Sequence, residues 1–353
     1  MIHPKLRYGR ADLSATARSI LTVAPGNRDL VPAVRVSLSL AVPVVVLLLA
    51  DRIEWSLFAS FGAFTSIYGR YAPTRIRLRH QALIGVMLTV CVALGAVIAR
   101  LALTWTDAMH AAVTVLAGSL VAAVTATVIM VRDLRPAGAV FTVFATTAVA
   151  SAPVTASPWT ALAIAGGSAS WCILLSWLSR WAGEANTGNT VPAPPSFPRT
   201  EKVRQFSRYG TAALLGGAVA SLTGIASPYW AQVAAVVPLS APRRRQQVER
   251  GLHRIIGTVL GVGVAAFLLS FPSEPWQIIV WVVVMQFLAE LVVLRNYSLA
   301  LVFITPLALL MVFLAHPQPV GTLLIARIAE TVIGSAVGIA VVLVAVAAAR
   351  RTR

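Results

Sequence analysis

The chain of 353 residues is 58% hydrophobic and only 12% charged, with a mean hydropathy of +0.81, whereas a soluble domain carries about a quarter charged residues. That much apolar surface excludes a fold stable in water. It also excludes nucleic-acid binding as the meaning of the +17 formal charge, because the basic residues fall between long apolar runs, where they mark cytoplasmic loops.

In chain order, residues 1–30 are basic (Lys5, Arg7, Arg10, Arg18, Arg28) and lack the apolar core of a signal peptide, which predicts a cytoplasmic N-terminus. A first membrane repeat is predicted over 31–181 from six apolar runs: Val31–Ala50, Trp55–Gly69, Ala82–Leu103, Met109–Val131, Ala137–Ala152 and Trp159–Trp181. A polar, proline-rich cytoplasmic linker, 182–206, follows. A second repeat is predicted over 207–349 from Tyr209–Ile225, Tyr229–Ala241, Leu252–Phe271, Trp276–Leu294, Ser298–Ala315 and Val320–Ala349, and 350–353 form a basic cytoplasmic tail. The runs are continuous rather than alternating, so they predict helices and not barrel strands. The expected fold is an all-α integral membrane protein of about twelve transmembrane helices, arranged as two parallel six-helix repeats.

Placing alternate connections in the cytoplasm gathers Arg70, Arg75, Arg77, Arg79, Arg132, Arg135, the arginines of 180–208 and 243–254, and Arg295 on one side. The other side keeps Arg52 and Arg100, a bias of about ten to one that predicts a plasma-membrane orientation with both termini inside. The halves also resemble each other in order: Glu54-Trp55 matches Tyr229-Trp230, Ala82-Leu83-Ile84-Gly85 matches Arg254-Ile255-Ile256-Gly257, and Val131-Arg132-Asp133-Leu134 matches Leu294-Arg295-Asn296-Tyr297. Six crossings return a chain to its starting side, so the repeats should be parallel, related by an axis along the membrane normal.

No catalytic constellation is present. The five histidines are scattered, Cys91 and Cys172 lie in apolar runs, and no phosphate loop, HExxH or GxSxG occurs, so neither enzymatic activity, a cofactor nor a metal is expected. Charge inside a spanning helix is costly and usually meets a partner or a water-filled cavity. Arg327 and Glu330 share a helix face and read either as a substrate or proton-coupling site or as an internal ion pair. Glu290 reads as snorkelling or pairing locally with Arg295, and Arg35 as attracting an anion or lipid phosphate. The second run of each half is short and interrupted, around Thr65 in one and around Gln232 and Pro238 in the other, and the fifth runs carry Thr146 and Thr305-Pro306; matched broken segments point to a transport site. Gly257, Gly261 and Gly334 read as helix-packing positions.

Several of these residues also carry a resemblance. Pro228-Tyr229-Trp230, then Arg250-x-x-x-Arg254-Ile255-Ile256-Gly257-Thr258-x-x-Gly261, then Arg327-x-x-Glu330-Thr331-x-x-Gly334 resemble the fusaric acid resistance protein family, which includes bacterial aromatic acid exporters. The first half departs from it, with Ala165 and Ser168 where Arg327 and Glu330 stand. The plant aluminium-activated malate channels are distantly similar, with one six-helix half per subunit. The resemblance implies a secondary transporter exporting small organic, aromatic among them, anions across the plasma membrane; an anion channel and an accessory envelope protein are the alternatives. Candidates for its pathway or coupling are Arg327, Glu330, Gln232, Pro238, Arg250, Arg254, Thr65 and Thr305. The expected partners are the lipid bilayer and an organic anion, with proton coupling and homo-oligomerisation left open.

Overall fold

The computed structural model describes residues 30–70, 72–182, 184, 195–225 and 227–351, with side chains to 345. The expected basic N-terminus and most of the linker lie outside the described residues, as do Thr352 and Arg353 of the tail. Among the described residues there are twelve α-helices and no strand. In the first half they are α1 (Leu30–Leu49), α2 (Ser56–Ala63), α3 (Thr74–Ala102), α4 (Asp107–Val131), α5 (Val140–Ala150) and α6 (Pro158–Leu178). In the second they are α7 (Arg199–Leu222), α8 (Tyr229–Val236), α9 (Arg244–Leu269), α10 (Pro275–Val292), α11 (Tyr297–Ala315) and α12 (Val320–Arg351).

Several starts are fixed by side chains that satisfy a first-turn N–H. Thr106 accepts from Met109 N, Ser157 from Thr160 N and Asn296 from Leu299 N, while Glu274 and Gln277 form a capping box ahead of Pro275. Three helices start earlier than their apolar runs, at Thr74, Arg199 and Arg244. Bilayer thickness limits the apolar stretch and not the helix, and arginine is a good helix former, so arginine-bearing turns extend the helices beyond the apolar zone.

Eight helices are long and apolar enough to span a bilayer: α1, α3, α4, α6 (counted to Ala182), α9, α10, α11 and α12 (counted to Ala345). They make the chain a multi-pass helical membrane protein, and large apolar side chains such as Leu49, Val86, Leu116, Leu260 and Ile325 are exposed on its surface, as contact with lipid requires. The short helices differ. Every residue of α2 and of α8 is buried, as is most of α5, so the long helices sheathe them. Short turns of 3-10 helix lengthen α2 to Ile53–Ile67 and follow α8 at Pro238–Ser240. Length and apolar composition together therefore support eight spans rather than the expected twelve; α7, 24 residues long, falls short on composition and α2, α5 and α8 on length.

Packing follows one pattern in both halves. The third helix meets the fifth and sixth, the second and first meet the sixth and each other, and the fourth meets the fifth; each of these pairs recurs six helices later among α7–α12. Contacts between the halves are reciprocal: α4 with α7 and α10 with α1, then α5 with α8 and α11 with α2. Glycines permit the closest approaches. A Cβ at Gly95 would lie 2.6 Å from Thr146 O between α3 and α5; at the matching α9–α11 contact, Gly257 and Gly261 would meet Ser298 O at 2.5 Å and Leu301 O at 2.7 Å. Gly334 of α12 admits the backbone of Ala231 on α8.

Candidate functional site

Between the halves, at the arginine-rich end, lies a cavity of about 770 Å³. Its wall is drawn from the ends of α2, α5, α8 and α11, from α3, α9 and α10, and from the turns that join them. Phe64, Phe141, Leu301, Ile304 and Leu307 give it an apolar floor, while Arg70, Arg79, Arg132, Arg135, Arg250 and Arg254 ring it against Asp133 and Glu290. This size is typical of small-molecule sites, which are mostly apolar with a few placed polar groups. The chemistry suits an amphipathic anion: an apolar body on the floor and a carboxylate among guanidinium groups.

Local structure aims these charges. Arg250 and Arg254, four residues apart, share a face of α9; Arg250 lies 4.6 Å from the Tyr297 ring centroid, and Arg254 is buried. Gly69 adopts φ +74°, a left-handed conformation suited to glycine, and its N–H donates to Arg135 O at 3.2 Å. That turn delivers Arg70, whose Nη1 lies 2.6 Å from Glu290 Oε2 on α10. From sequence Glu290 reads as snorkelling or pairing locally with Arg295; in the structure it is buried against Arg70 of the other half. A separation of 220 residues leaves no local signal for that pair.

Arg327 and Glu330 do not line the cavity. Both are fully buried on α12, and the Arg327 guanidinium lies 3.8 Å from the Trp230 ring centroid. Neither Glu330 oxygen has a hydrogen-bond partner of good geometry, nor do Arg327 Nε and Nη1. The guanidinium stacks on Trp230, and the two opposite charges act on each other without a direct hydrogen bond. The hydroxyls of Thr331 and Ser335, Arg327's neighbours on the same helix face, are also buried without partners.

The other candidates divide. Val237 and Ser240 line the cavity, but Pro238 between them packs toward Gly251 and Gly338. Thr65 and Thr305 are buried beside Gly85 and Gly261, with unpartnered hydroxyls, next to lining residues Phe64 and Ile304. Gln232 is a clamp: its Nε2 donates to Val115 O at 2.9 Å and Ala213 O at 3.3 Å, tying α8 to α4 and α7. Arg35, read as attracting an anion or lipid phosphate, is occupied by protein. It donates to Glu184 at 3.0 Å, to Ser66 Oγ at 2.7 Å and to Ser176 Oγ at 3.0 Å. Arg77 Nη1 also reaches Glu184 at 3.4 Å, so a carboxylate just beyond α6 joins α1 to α3.

Beyond the cavity floor, Phe61 contacts Phe64 and Phe144 with ring centroids 5.8 and 4.9 Å apart, and Phe144 meets Trp230 at 4.5 Å. These buried rings stand between the cavity and a small pocket at the opposite end, lined by Glu54, Leu57, Phe58, Ala96 and His316.

Comparison with known proteins places these features. An uncharacterized membrane protein, YvaC, of Bacillus subtilis (strain 168) is 29% identical over 133 residues, which is 37% of this chain and 21% of that protein. An uncharacterized protein of Synechocystis sp., slr1298, is 29% identical over 138 residues, 39% of this chain and 18% of that protein. The chain therefore spans about a fifth of the length of each of these curated relatives. No solved structure matches it significantly. The second half, with the α8 and α9 cavity residues and the buried Arg327, coincides with a family match: residues 213–341 carry the sequence pattern of the family described as fusaric acid resistance protein-like.

Proposed function

We propose that the chain is a secondary transporter that carries small organic anions, aromatic carboxylates among them, out of the cytoplasm across the plasma membrane. The observation that supports this most is the cavity: about 770 Å³ between two halves, with an apolar floor, a rim of arginines and no reliance on Arg327. In this reading all twelve helices cross, because α2 and α5 run from the small pocket at one end to the cavity at the other. The halves are then parallel repeats, and the arginine-rich end faces the cytoplasm. Transport involves no covalent chemistry and is driven by an ion gradient or by the anion's own gradient.

The aromatic block of Phe61, Phe144 and Trp230 favours a carrier over a channel, since it closes the far side while the near side is open. The test is flux in liposomes holding the purified full-length chain, with benzoate and aliphatic acids offered with and without an imposed pH gradient. Saturable benzoate flux, reduced at least tenfold by Arg254→Gln in folded protein, supports the proposal. No flux of any acid above protein-free liposomes overturns it, and flux that is unsaturable and voltage-driven assigns a channel.

A further inference from the structure

The cavity wall holds a buried carboxylate whose cationic partner belongs to the other half. Glu290 Oε2 lies 2.6 Å from Arg70 Nη1, the two side chains are 6% and 9% exposed, and both line the cavity. The second oxygen, Oε1, accepts from Gln286 Nε2 at 3.1 Å. This pair both neutralises charge in the wall and ties the α2–α3 turn to α10. A carboxylate ligand is the same chemical group as the Glu290 side chain, and Arg70 is a cation it meets in that wall. Two carboxylates held close together in a low-dielectric site do not both stay ionised, and one takes up a proton.

We propose that Arg70 and Glu290 couple anion binding to protonation and to separation of the halves, an inference that rests on the organic-anion reading of the cavity. The incoming carboxylate takes Arg70 Nη1 from Glu290. Glu290 then takes one proton from hydronium or a buffer acid on the cytoplasmic side, the donor losing its bond to hydrogen as the Glu290 O–H bond forms, and the inter-half ion pair is gone. One anion and one proton enter together, so the charge of the cavity is unchanged. Around Glu290, the α2–α3 turn contributes Arg70 and α1 contributes Arg35, which is already bonded to Glu184. From α11 the titratable group is the Tyr297 phenol, and α10 itself adds the neutral Gln286. The rest of the cavity wall carries the Asp133 carboxylate, His80 and the arginines Arg79, Arg132, Arg135, Arg250 and Arg254.

The test is calorimetric binding of benzoate to the purified full-length chain at neutral pH, in phosphate and in Tris, whose ionisation enthalpies differ. The expected result is uptake approaching one proton per benzoate bound, lost in Glu290→Gln and kept in His80→Gln and in Asp133→Asn, which remove the imidazole and the second carboxylate of the wall. Clear binding with a heat independent of buffer overturns the coupling and leaves the anion reading standing. No binding of benzoate or of the aliphatic acids overturns the reading itself. Uptake kept in Glu290→Gln, or lost in His80→Gln or Asp133→Asn, puts the proton elsewhere and overturns the assignment. Should the amide variant not fold, Glu290→Asp must move the pH midpoint of uptake, and an unmoved midpoint overturns the proposal.

Discussion

The guanidinium carbon of Arg327 lies 3.8 Å from the ring centroid of Trp230, so the most deeply buried cation of the second half rests on an aromatic face contributed by α8. A desolvated cation–π contact contributes about 2 kcal/mol and is strongest over tryptophan. Trp230→Ala removes both the contact and a large buried ring, and should cost about 3–5 kcal/mol. Trp230→Phe should cost far less. The measurement is thermal unfolding in detergent, and equal effects of the two substitutions would remove the stacking from the account.

Glu184 holds two buried arginines, Arg35 and Arg77, at 3.0 and 3.4 Å. Removing one partner of a buried charge cluster costs about 3–5 kcal/mol, whereas an exposed pair contributes at most about 1 kcal/mol. Glu184→Ala should therefore sharply reduce folded protein on size-exclusion chromatography. Glu201→Ala, which breaks the exposed pair with Arg204, should not. Comparable yields from the two variants would show that Glu184 does not brace α1 against α3.

Two glycines of α9 make an internal control. A Cβ at Gly261 would sit 2.7 Å from Leu301 O and from Thr305 Cβ, while at Gly263 it would meet nothing within 4 Å. Gly261→Ala forces α9 and α11 apart and should destabilise by about 1–3 kcal/mol, as overpacking does. Gly263→Ala should be neutral or slightly stabilising, because alanine favours helix. The comparison of their melting temperatures decides the matter.

These three cases also show what could be read from sequence. Apolar runs located all twelve helices, since burial in lipid or protein demands such runs whatever the tertiary structure, and the Gly257-x-x-x-Gly261 spacing marked a close helix contact on its own. Start points of α3, α7 and α9 were not legible, because a helix can run on into water without any change in its local pattern. The cavity was half legible. Arg250 and Arg254 stood out as cations in a motif, but Arg70–Glu290 and Arg35–Glu184 join residues 220 and 149 positions apart, and only the helix arrangement brings them together.

Orientation is checked at exposed positions. Cysteine at Ser157, ahead of α6, should label from outside intact cells, and cysteine at Ser196, ahead of α7, should label only after permeabilisation. The distribution of arginine between the two ends motivates the expectation. Labelling of Ser196→Cys in intact cells would invert the topology and turn the cavity outward.

Gln232→Leu separates clamping from transport. Its amide joins α8 to α4 and α7 away from the cavity wall, so its loss should cost about 1–3 kcal/mol. The KM for benzoate should stay within about twofold, below the ~1.4 kcal/mol that a tenfold change represents. A KM raised tenfold in folded protein would place Gln232 on the pathway after all.

The two seams between the halves, α4 against α7 and α1 against α10, are equivalent in packing but fastened differently. The first has a neutral amide, Gln232, fully enclosed and out of reach of ions. Beside the second is the Arg70–Glu290 clasp, set in the wall of a cavity that admits water. If the proposed coupling holds, acidity, electrolyte and ligand act on one seam and leave the other untouched. Under the proposed transport reading, the two seams would then serve as a hinge side and a latch side, and rocking of one half on the other would have a built-in direction.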